Sequence, residues 1–321
     1  MIFFIIITTF VFITLGISYY AFRIAFLAPP HLDTEHYYTP EGEQYDKVRE
    51  GIRKSVAKMA ERKYESVIIT SFDGSKLFAR YYHIADHAPV QILFHGYKSS
   101  SLLDCSGGSY FAAQLGHNAI VVDQRSHGQS DGTVITFGIK ERKDCLCWIQ
   151  YAIERFGKDV PIILSGLSMG AATVLMATDL NLPSNVKGII ADCPYSSPKE
   201  IILKVAKQMH FPSRLMFPFV WLGALVFGHF NLLESSAIEA IKTCEIPILI
   251  LHGDEDELVP CEMSRLMQTS GAKDITLETF AGAGHGLSYI MIPDKYEKVI
   301  LEFTKRCLVL KPNISFAFSN L

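Results

Sequence analysis

The sequence predicts an α/β protein: a mostly parallel sheet flanked by helices, with a small helical cap and an N-terminal transmembrane helix. Three observations predict it. Beyond Pro89, short apolar runs alternate with stretches of helical periodicity, the pattern of a parallel sheet covered on both faces. In mid-chain, Pro161-Ile162-Ile163-Leu164 leads through Ser165-Gly166-Leu167-Ser168-Met169-Gly170 into an apolar stretch ending at Ala177. This is a strand, a tight turn and a helix in succession. At the start, residues 2–20 contain no charged side chain.

The N-terminal stretch stays apolar around the single Arg23 as far as Ala28. At ~1.5 Å per residue, about 20 helical residues cross the hydrocarbon core of a bilayer. A cleaved signal peptide would carry a basic leader and a small-x-small cleavage site. Here Leu27-Ala28-Pro29-Pro30 is a poor site and no basic side chain precedes the apolar run. Residues 1–28 are therefore expected to be an uncleaved anchor. Lys47, Arg49, Arg53, Lys54, Lys58, Arg62 and Lys63 follow it, which slightly favours the cytoplasmic face for the rest of the chain. Most of them lie beyond the ~15–20 residues where that rule is strongest.

With 321 residues, 49% hydrophobic and 20% charged, one large α/β domain plus an appendage fits the length. A net charge of −3 gives no general attraction to nucleic acid. Seven cysteines without a disulfide-framework spacing favour a reducing compartment. Cys145 and Cys147 lack a partner pair for a metal, so they read as small hydrophobes. Asn313-Ile314-Ser315 matches a glycosylation sequon, a tripeptide that chance produces often.

In order along the chain, residues 29–63 read as a linker and a leading helix, with Val48, Ile52, Val56 and Met59 at helical spacing. Residues 65–70 and 76–82 alternate around Asp73-Gly74, a hairpin signal. Parallel strands are expected at 90–94, 118–122, 162–165, 186–191, 247–251 and 275–280. Helices are expected at 105–115, 140–156, 169–179, 198–210, 237–242, 261–269 and 294–305. The domain they form spans 64–310, and 311–321 are a tail. Residues 195–243 are too long for a plain strand-to-strand connection and hold the apolar run 215–230. They are expected to be a small helical cap over the site, since ligands bind at the carboxyl ends of parallel strands.

The turn at Ser168 has the spacing G-x-S-x-G. Passing from strand to helix within a few residues forces a sparsely populated backbone conformation on the serine. Side chains two residues to either side would meet neighbouring backbone. Gly166 and Gly170 remove both collisions. The helix start behind Ser168 supplies free N–H groups and the positive end of a dipole, which favour an oxyanion.

A serine hydroxyl becomes a good nucleophile when a base takes its proton and a carboxylate orients that base. His285, between Gly284 and Gly286 after the last strand, is the candidate base. Asp254 and Asp256, in the run from His252 to Pro260 after the strand before it, are candidate acids. The order serine, acid, histidine is that of a known strand–turn–helix hydrolase architecture. His95 and His127 precede glycines in other strand-end loops but lack a position that would make either the base. Two backbone donors are needed for an oxyanion. Met169 supplies one, and the loop Phe94-His95-Gly96-Tyr97 is placed to give the other through the Tyr97 N–H.

Taken together, His95-Gly-Tyr, Asp123-Gln-Arg-Ser-His-Gly-Gln-Ser-Asp-Gly, Gly166-Leu-Ser-Met-Gly, His252-Gly-Asp-Glu-Asp-Glu-Leu-Val-Pro and Gly284-His-Gly resemble the ordered signatures of the α/β-hydrolase superfamily. The chain looks most like its bacterial membrane-anchored serine hydrolases and the related Bem46-like and ABHD-type proteins. The similarity covers roughly residues 65–307. It implies an α/β-hydrolase fold, a Ser168, Asp256, His285 triad with Tyr97 and Met169 in the oxyanion hole, and an ester, thioester or amide substrate. It favours Asp256 over Asp254, because the family places its acid in a D-x-x-V-P ending, here Asp256 to Pro260. The stretch from Asp123 to Gly132 is expected to brace the loop beside the turn.

The leading expectation is a membrane-anchored serine hydrolase of the carboxylesterase or lipase type, acting on a small-molecule or lipid acyl ester without metal or organic cofactor. A silent membrane-tethered scaffold of the same fold and a peptidase or amidase are the alternatives. A metal hydrolase using His252, Asp254, Asp256 and His285 has suitable ligand types but not the spacing of a recognised site.

Overall fold

The computed structural model describes residues 1–28 and 42–308. Most of the expected linker, and the tail with Asn313-Ile314-Ser315, lie outside the described residues. The chain opens with α1 (Ile2–Phe26), then α2 (Glu43–Asp46) and α3 (Arg49–Glu61). The hairpin β1 (Glu65–Thr70) and β2 (Lys76–Tyr82) leads to β3 (Val90–Phe94), α4 (Ser101–Asp104), α5 (Ser106–Gln114) and β4 (Asn118–Val122). Next come α6 (Glu141–Phe156), β5 (Ile162–Leu167), α7 (Met169–Met176) and β6 (Val186–Asp192). The cap segment holds α8 (Pro198–Gln208), α9 (Ser213–Val226) and α10 (Ala237–Ala240). The chain ends with β7 (Ile248–Gly253), α11 (Glu262–Gln268), β8 (Ile275–Phe280), α12 (Ser288–Met291) and α13 (Pro293–Leu308).

The eight strands form one sheet in the order β1-β2-β4-β3-β5-β6-β7-β8. β2 runs antiparallel to β1 and β4, and the remaining neighbours are parallel. The expected hairpin is present in register, with Glu65 opposite Tyr81 and Thr70 opposite Lys76. After β3 the chain moves to one side to make β4, and after β4 it returns to the other side of β3 to make β5. The loops leaving β3 and β5 therefore part at a topological switch, where a crevice opens at the carboxyl edge.

Every residue of β3 and β4 is buried, as their unbroken apolar runs require, whereas the edge strand β1 keeps an exposed face. Every residue of α7 is buried as well. The helix behind Ser168 is thus sandwiched between the sheet and the cap segment, and its position is fixed by packing on all sides.

Two features depart from the expected pattern. The helix expected at 105–115 is present as α5 (Ser106–Gln114), and an unexpected short helix, α4, precedes it across Cys105 (φ −98°, ψ 4°), with Ser100 capping α4 by accepting from the Leu103 N–H at 3.2 Å. Close approach explains the glycines of α5: a Cβ on Gly108 would lie 2.5 Å from a methyl of Leu93 in the sheet, and one on Gly107 would lie 3.0 Å from the Tyr289 ring. The short α12 escaped the reading because four residues carry too little periodicity.

The N-terminal helix is not a free tether. Its first half is exposed, but Ser18, Ala21, Phe22 and Phe26 are buried. They pack on α9, where Gly223 has no Cβ to meet the Ser18 carbonyl, and Phe227 lies 5.1 Å from the Tyr19 ring. Phe26 stacks edge-on with Phe137 at 5.7 Å and Phe230 at 5.2 Å. Burying a side chain of that size is worth about 1.5–3 kcal/mol. Leu27 then forms an isolated bridge with Val134, and the Ala28 N–H donates to the Thr133 carbonyl at 2.9 Å.

Candidate active site

Ser168 stands between β5 and α7 with φ 55° and ψ −113°, a region that non-glycine residues rarely enter. Both flanking glycines are required by space. A Cβ on Gly166 would lie 2.5 Å from the Ala171 nitrogen, and one on Gly170 would lie 2.5 Å from the Phe94 carbonyl carbon. The Ser168 N–H donates to the Asp192 carbonyl at 2.8 Å, and Ala172 N–H donates back to the Ser168 carbonyl at 3.0 Å.

The loops after β7 and β8 bring the other two groups to it. His285 Nε2 lies 2.9 Å from Ser168 Oγ, and its Nδ1 lies 2.6 Å from Asp256 Oδ2. Both residues are buried, at 8% and 6% exposure, so these bonds have little competition from solvent. Asp256 Oδ1 accepts the N–H groups of Leu258 at 3.0 Å and Val259 at 2.8 Å. Burial alone would raise its pKa, but the hydrogen bonds with His252 and His285, the nearby His285 and the Val259 N–H outweigh it and hold the carboxyl at about 2. It is a carboxylate at any ordinary pH.

Asp254 does not join this chain. It is exposed, and its carboxylate accepts the Gly282 N–H at 2.7 Å, bracing the loop that carries His285. Of the four residues considered as metal ligands, His252, Asp256 and His285 converge, and each is already engaged. His252 Nδ1 lies 2.6 Å from Ser264 Oγ, and its Nε2 lies 2.8 Å from the Val259 carbonyl.

The loop after β3 lies over the nucleophile: a Cβ on Gly96 would be 3.4 Å from Ser168 Cβ. Gly96 N–H donates to Asp104 Oδ2 at 2.7 Å, and Lys98 N–H donates to His127 Nε2 at 3.1 Å. The N–H between them, on Tyr97, makes no hydrogen bond to a described residue. His95 is fully enclosed, with Nε2 accepting the Gln124 N–H at 3.0 Å and Nδ1 lying 2.8 Å from the Gly96 carbonyl. Burial and the neighbouring His127 push its pKa well down. His95 and His127 thus shape the loop. The segment from Asp123 is tied in turn by Arg125, whose Nε and Nη2 each lie 2.6 Å from an oxygen of Asp144 on α6.

A cavity of about 320 Å³ opens beside Ser168 and His285, and several of its walls were not foreseen. Tyr45 and Ile52 of the leading helices, Asp104 of α4 and Tyr289 of α12 line it. None of its lining residues comes from 195–243, the segment expected to cover the site. That segment instead packs on α1. Tyr45 donates its hydroxyl to the His285 carbonyl at 3.0 Å. Asp192, buried in the same wall, accepts the Tyr296 hydroxyl at 2.8 Å, and burial pushes its pKa up to about 6. Nothing local marks Tyr45 or Tyr296 in the sequence, because their partners lie far along the chain.

An eight-stranded sheet in this order, with a serine, a histidine and an aspartate in hydrogen-bonding succession at its carboxyl edge, defines a hydrolase-type α/β protein. The chain belongs to the alpha/beta hydrolase family, whose family model matches residues 91–299. Uncharacterized protein YqkD of Bacillus subtilis is 24% identical over 225 residues, 69% of this chain and 73% of that protein. The lysophosphatidylserine lipase ABHD12 of Danio rerio is 23% identical over 180 residues, 56% of this chain but only 44% of the lipase. Among solved structures, the Pyrococcus furiosus esterase Pf2001 aligns with a TM-score of 0.64 and 21% identity, over 87% of this chain and 99% of the esterase. The family and its esterase- and lipase-type members make this chain a hydrolase-class protein.

Proposed function

We propose that the chain is a membrane-anchored serine hydrolase that cleaves a carboxylic ester through an acyl-enzyme. The observation that carries this reading is the unbroken contact from Ser168 Oγ through His285 to Asp256, beside a cavity. Ser168 attacks the carbonyl carbon while its proton passes to His285 Nε2. The oxyanion that forms is received by the N–H groups of Tyr97 and Met169. His285 hands the proton to the departing alkoxide, then takes one from water, whose oxygen attacks the acyl carbon, and returns it to Ser168 Oγ as the acid leaves. Asp256 keeps the imidazole in the tautomer that accepts at Nε2 and stabilises its charged form.

Residues 1–28 serve as anchor and 29–63 as linker and leading helix. The catalytic domain occupies 64–310, with the helical segment near 195–243 seated on α1 rather than over the cavity, and the tail at 311–321. α1 is the candidate span, and 6% of its most apolar window is buried. Removal as a signal peptide would strip Phe22 and Phe26 from the core, which favours retention. The downstream basic residues favour a cytoplasmic catalytic domain. An apolar helical segment packed beside the anchor, with Phe211 and Leu215 exposed, favours a membrane-facing surface and acyl chains delivered from lipid. Both ABHD12, a lipase by name, and the esterase Pf2001 support the ester class.

A fluorophosphonate probe applied to membranes holding the full chain tests the reading. Labelling of wild type that is lost in Ser168→Ala supports it. A folded protein that takes no label would make the chain a scaffold. Turnover of a panel of esters graded by chain length then tests the lipid preference, and fastest cleavage of very short or charged esters would overturn it.

A further inference from the structure

The last four carbonyls of a helix have no partner inside it, and three of those of α1 find theirs in an unexpected place. Tyr97 donates its hydroxyl to the Ala25 carbonyl at 2.8 Å, and Lys98 Nζ donates to the Ile24 carbonyl at 3.2 Å. The Phe26 carbonyl takes the Ile135 N–H at 2.8 Å. Two adjacent residues of the loop above Ser168 thus cap the end of the candidate membrane helix. A lysine there also offsets the negative end of the helix dipole.

The same loop is gripped from its inner side. Asp104 holds the Gly96 N–H and His127 holds the Lys98 N–H, leaving the Tyr97 N–H between them. The Tyr97 ring is wedged 4.9 Å from Phe137, which in turn meets Phe26 of α1. With backbone fixed on one side and side chain on the other, the direction of the Tyr97 N–H depends on where α1 ends.

We propose that α1 is a positioning element for the oxyanion hole: its Ala25 and Ile24 carbonyls hold Tyr97 and Lys98 so that the Tyr97 N–H faces the developing oxyanion. This rests on the reading of Ser168 as nucleophile and Tyr97 as oxyanion donor. The Tyr97 hydroxyl acts through the backbone of its own residue and touches no substrate. Removing an oxyanion donor outright costs about 10²–10³ in kcat. Loosening it costs on the order of tenfold.

Full-length Tyr97→Phe in membranes is the test, since phenylalanine keeps the ring against Phe137 and loses only the hydroxyl. Active sites are counted with the fluorophosphonate probe, which first establishes in wild type and Ser168→Ala that the underlying reading holds. Turnover per labelled site on a soluble short ester is expected to fall roughly tenfold, with KM within twofold of wild type. Affinity for an alkyl boronic acid, whose tetrahedral adduct uses the oxyanion hole, is expected to fall in parallel. Turnover per labelled site and boronate affinity within twofold of wild type would overturn the proposal and leave the serine-hydrolase reading standing. A lower count of labelled sites with wild-type turnover at each would also overturn it, because the contacts would then stabilise the fold alone. Should Tyr97→Phe fail to accumulate, Lys98→Met, which removes the Ile24 contact together with the ammonium 4.9 Å from the Tyr97 ring, is read by the same criteria.

Discussion

Replacing Asp256 by asparagine isolates what its carboxylate does. In the wild type Oδ1 accepts two backbone N–H groups, from Leu258 and Val259, while Oδ2 faces His285 Nδ1. An asparagine has one accepting oxygen. With that oxygen toward the backbone donors, the amide nitrogen faces Nδ1 and makes it an acceptor. The imidazole proton must then sit on Nε2, where it points at Ser168 and cannot be exchanged for the serine proton. The working tautomer is recovered only by flipping the amide, which sets NH₂ against two N–H donors at about 2 kcal/mol each. The penalty of about 4 kcal/mol corresponds to a loss of roughly a thousandfold. Asp254→Asn is the matched control, because an amide oxygen can still accept the Gly282 N–H, and its turnover should stay within about threefold of wild type. The assay is kcat/KM on a short chromogenic ester, per active site counted with the probe. An Asp256→Asn enzyme within tenfold of wild type, or an Asp254→Asn enzyme as impaired as Asp256→Asn is expected to be, would refute the assignment of the acid.

Ester turnover should fall on acidification, since only a neutral His285 accepts the serine proton; a flat kcat/KM profile from acid to neutral pH would contradict the assigned base. Asp192 gives a stability test with a definite sign. Burial raises its carboxyl from 3.8 to about 6 in the folded chain, so between about pH 4 and 6 the folded state keeps a proton that the unfolded state has lost, and stability falls as pH rises. Asp192→Asn should therefore gain on wild type across that window, by up to about 3 kcal/mol at pH 7, read from unfolding midpoints at each pH. A difference that does not change from pH 4 to 7 would refute it. Gly170→Ala would press a methyl against the Phe94 carbonyl in the middle of the sheet and should cost more than about 3 kcal/mol, seen as loss of folded protein or a collapsed thermal midpoint. Wild-type stability in that variant would mean that β3 yields more easily than its complete burial implies.

Much of this site was legible because the chemistry leaves local marks. Ser168 carries two glycines at fixed spacing, and His285 and Asp256 sit directly after apolar strands, so periodicity alone places all three at one edge. The resemblance favoured Asp256 over Asp254, and the geometry separates them by giving only the first a contact with His285. What stayed hidden depends on distant pairs. Tyr45 reaches the His285 carbonyl from far upstream, and nothing in the surroundings of either residue announces it. The seating of α1 on α9 was hidden for a different reason. An apolar helix of that length reads the same whether lipid or protein covers it, and only Gly223, one small residue among many, marks the crossing.

The strained nucleophile and its partners are held by different means. A serine at φ 55° stores about 1–3 kcal/mol, and it is held between β5 and α7, a helix buried at every residue. Its partners sit on two loops bound mainly to each other. Asp254 N–H donates to the Phe280 carbonyl at 3.1 Å, Glu255 N–H to the Ala283 carbonyl at 3.1 Å, and Asp254 Oδ1 accepts from Gly282. With the contact between Asp256 and His285, these bonds make the acid and base loops one body. The carboxylate-to-imidazole distance is then fixed by several bonds in parallel. The distance from imidazole to serine is spanned directly by a single one, so it is the coordinate free to adjust as the proton crosses. Tyr45, holding the His285 carbonyl from α2, ties that body back to the domain from outside the sheet.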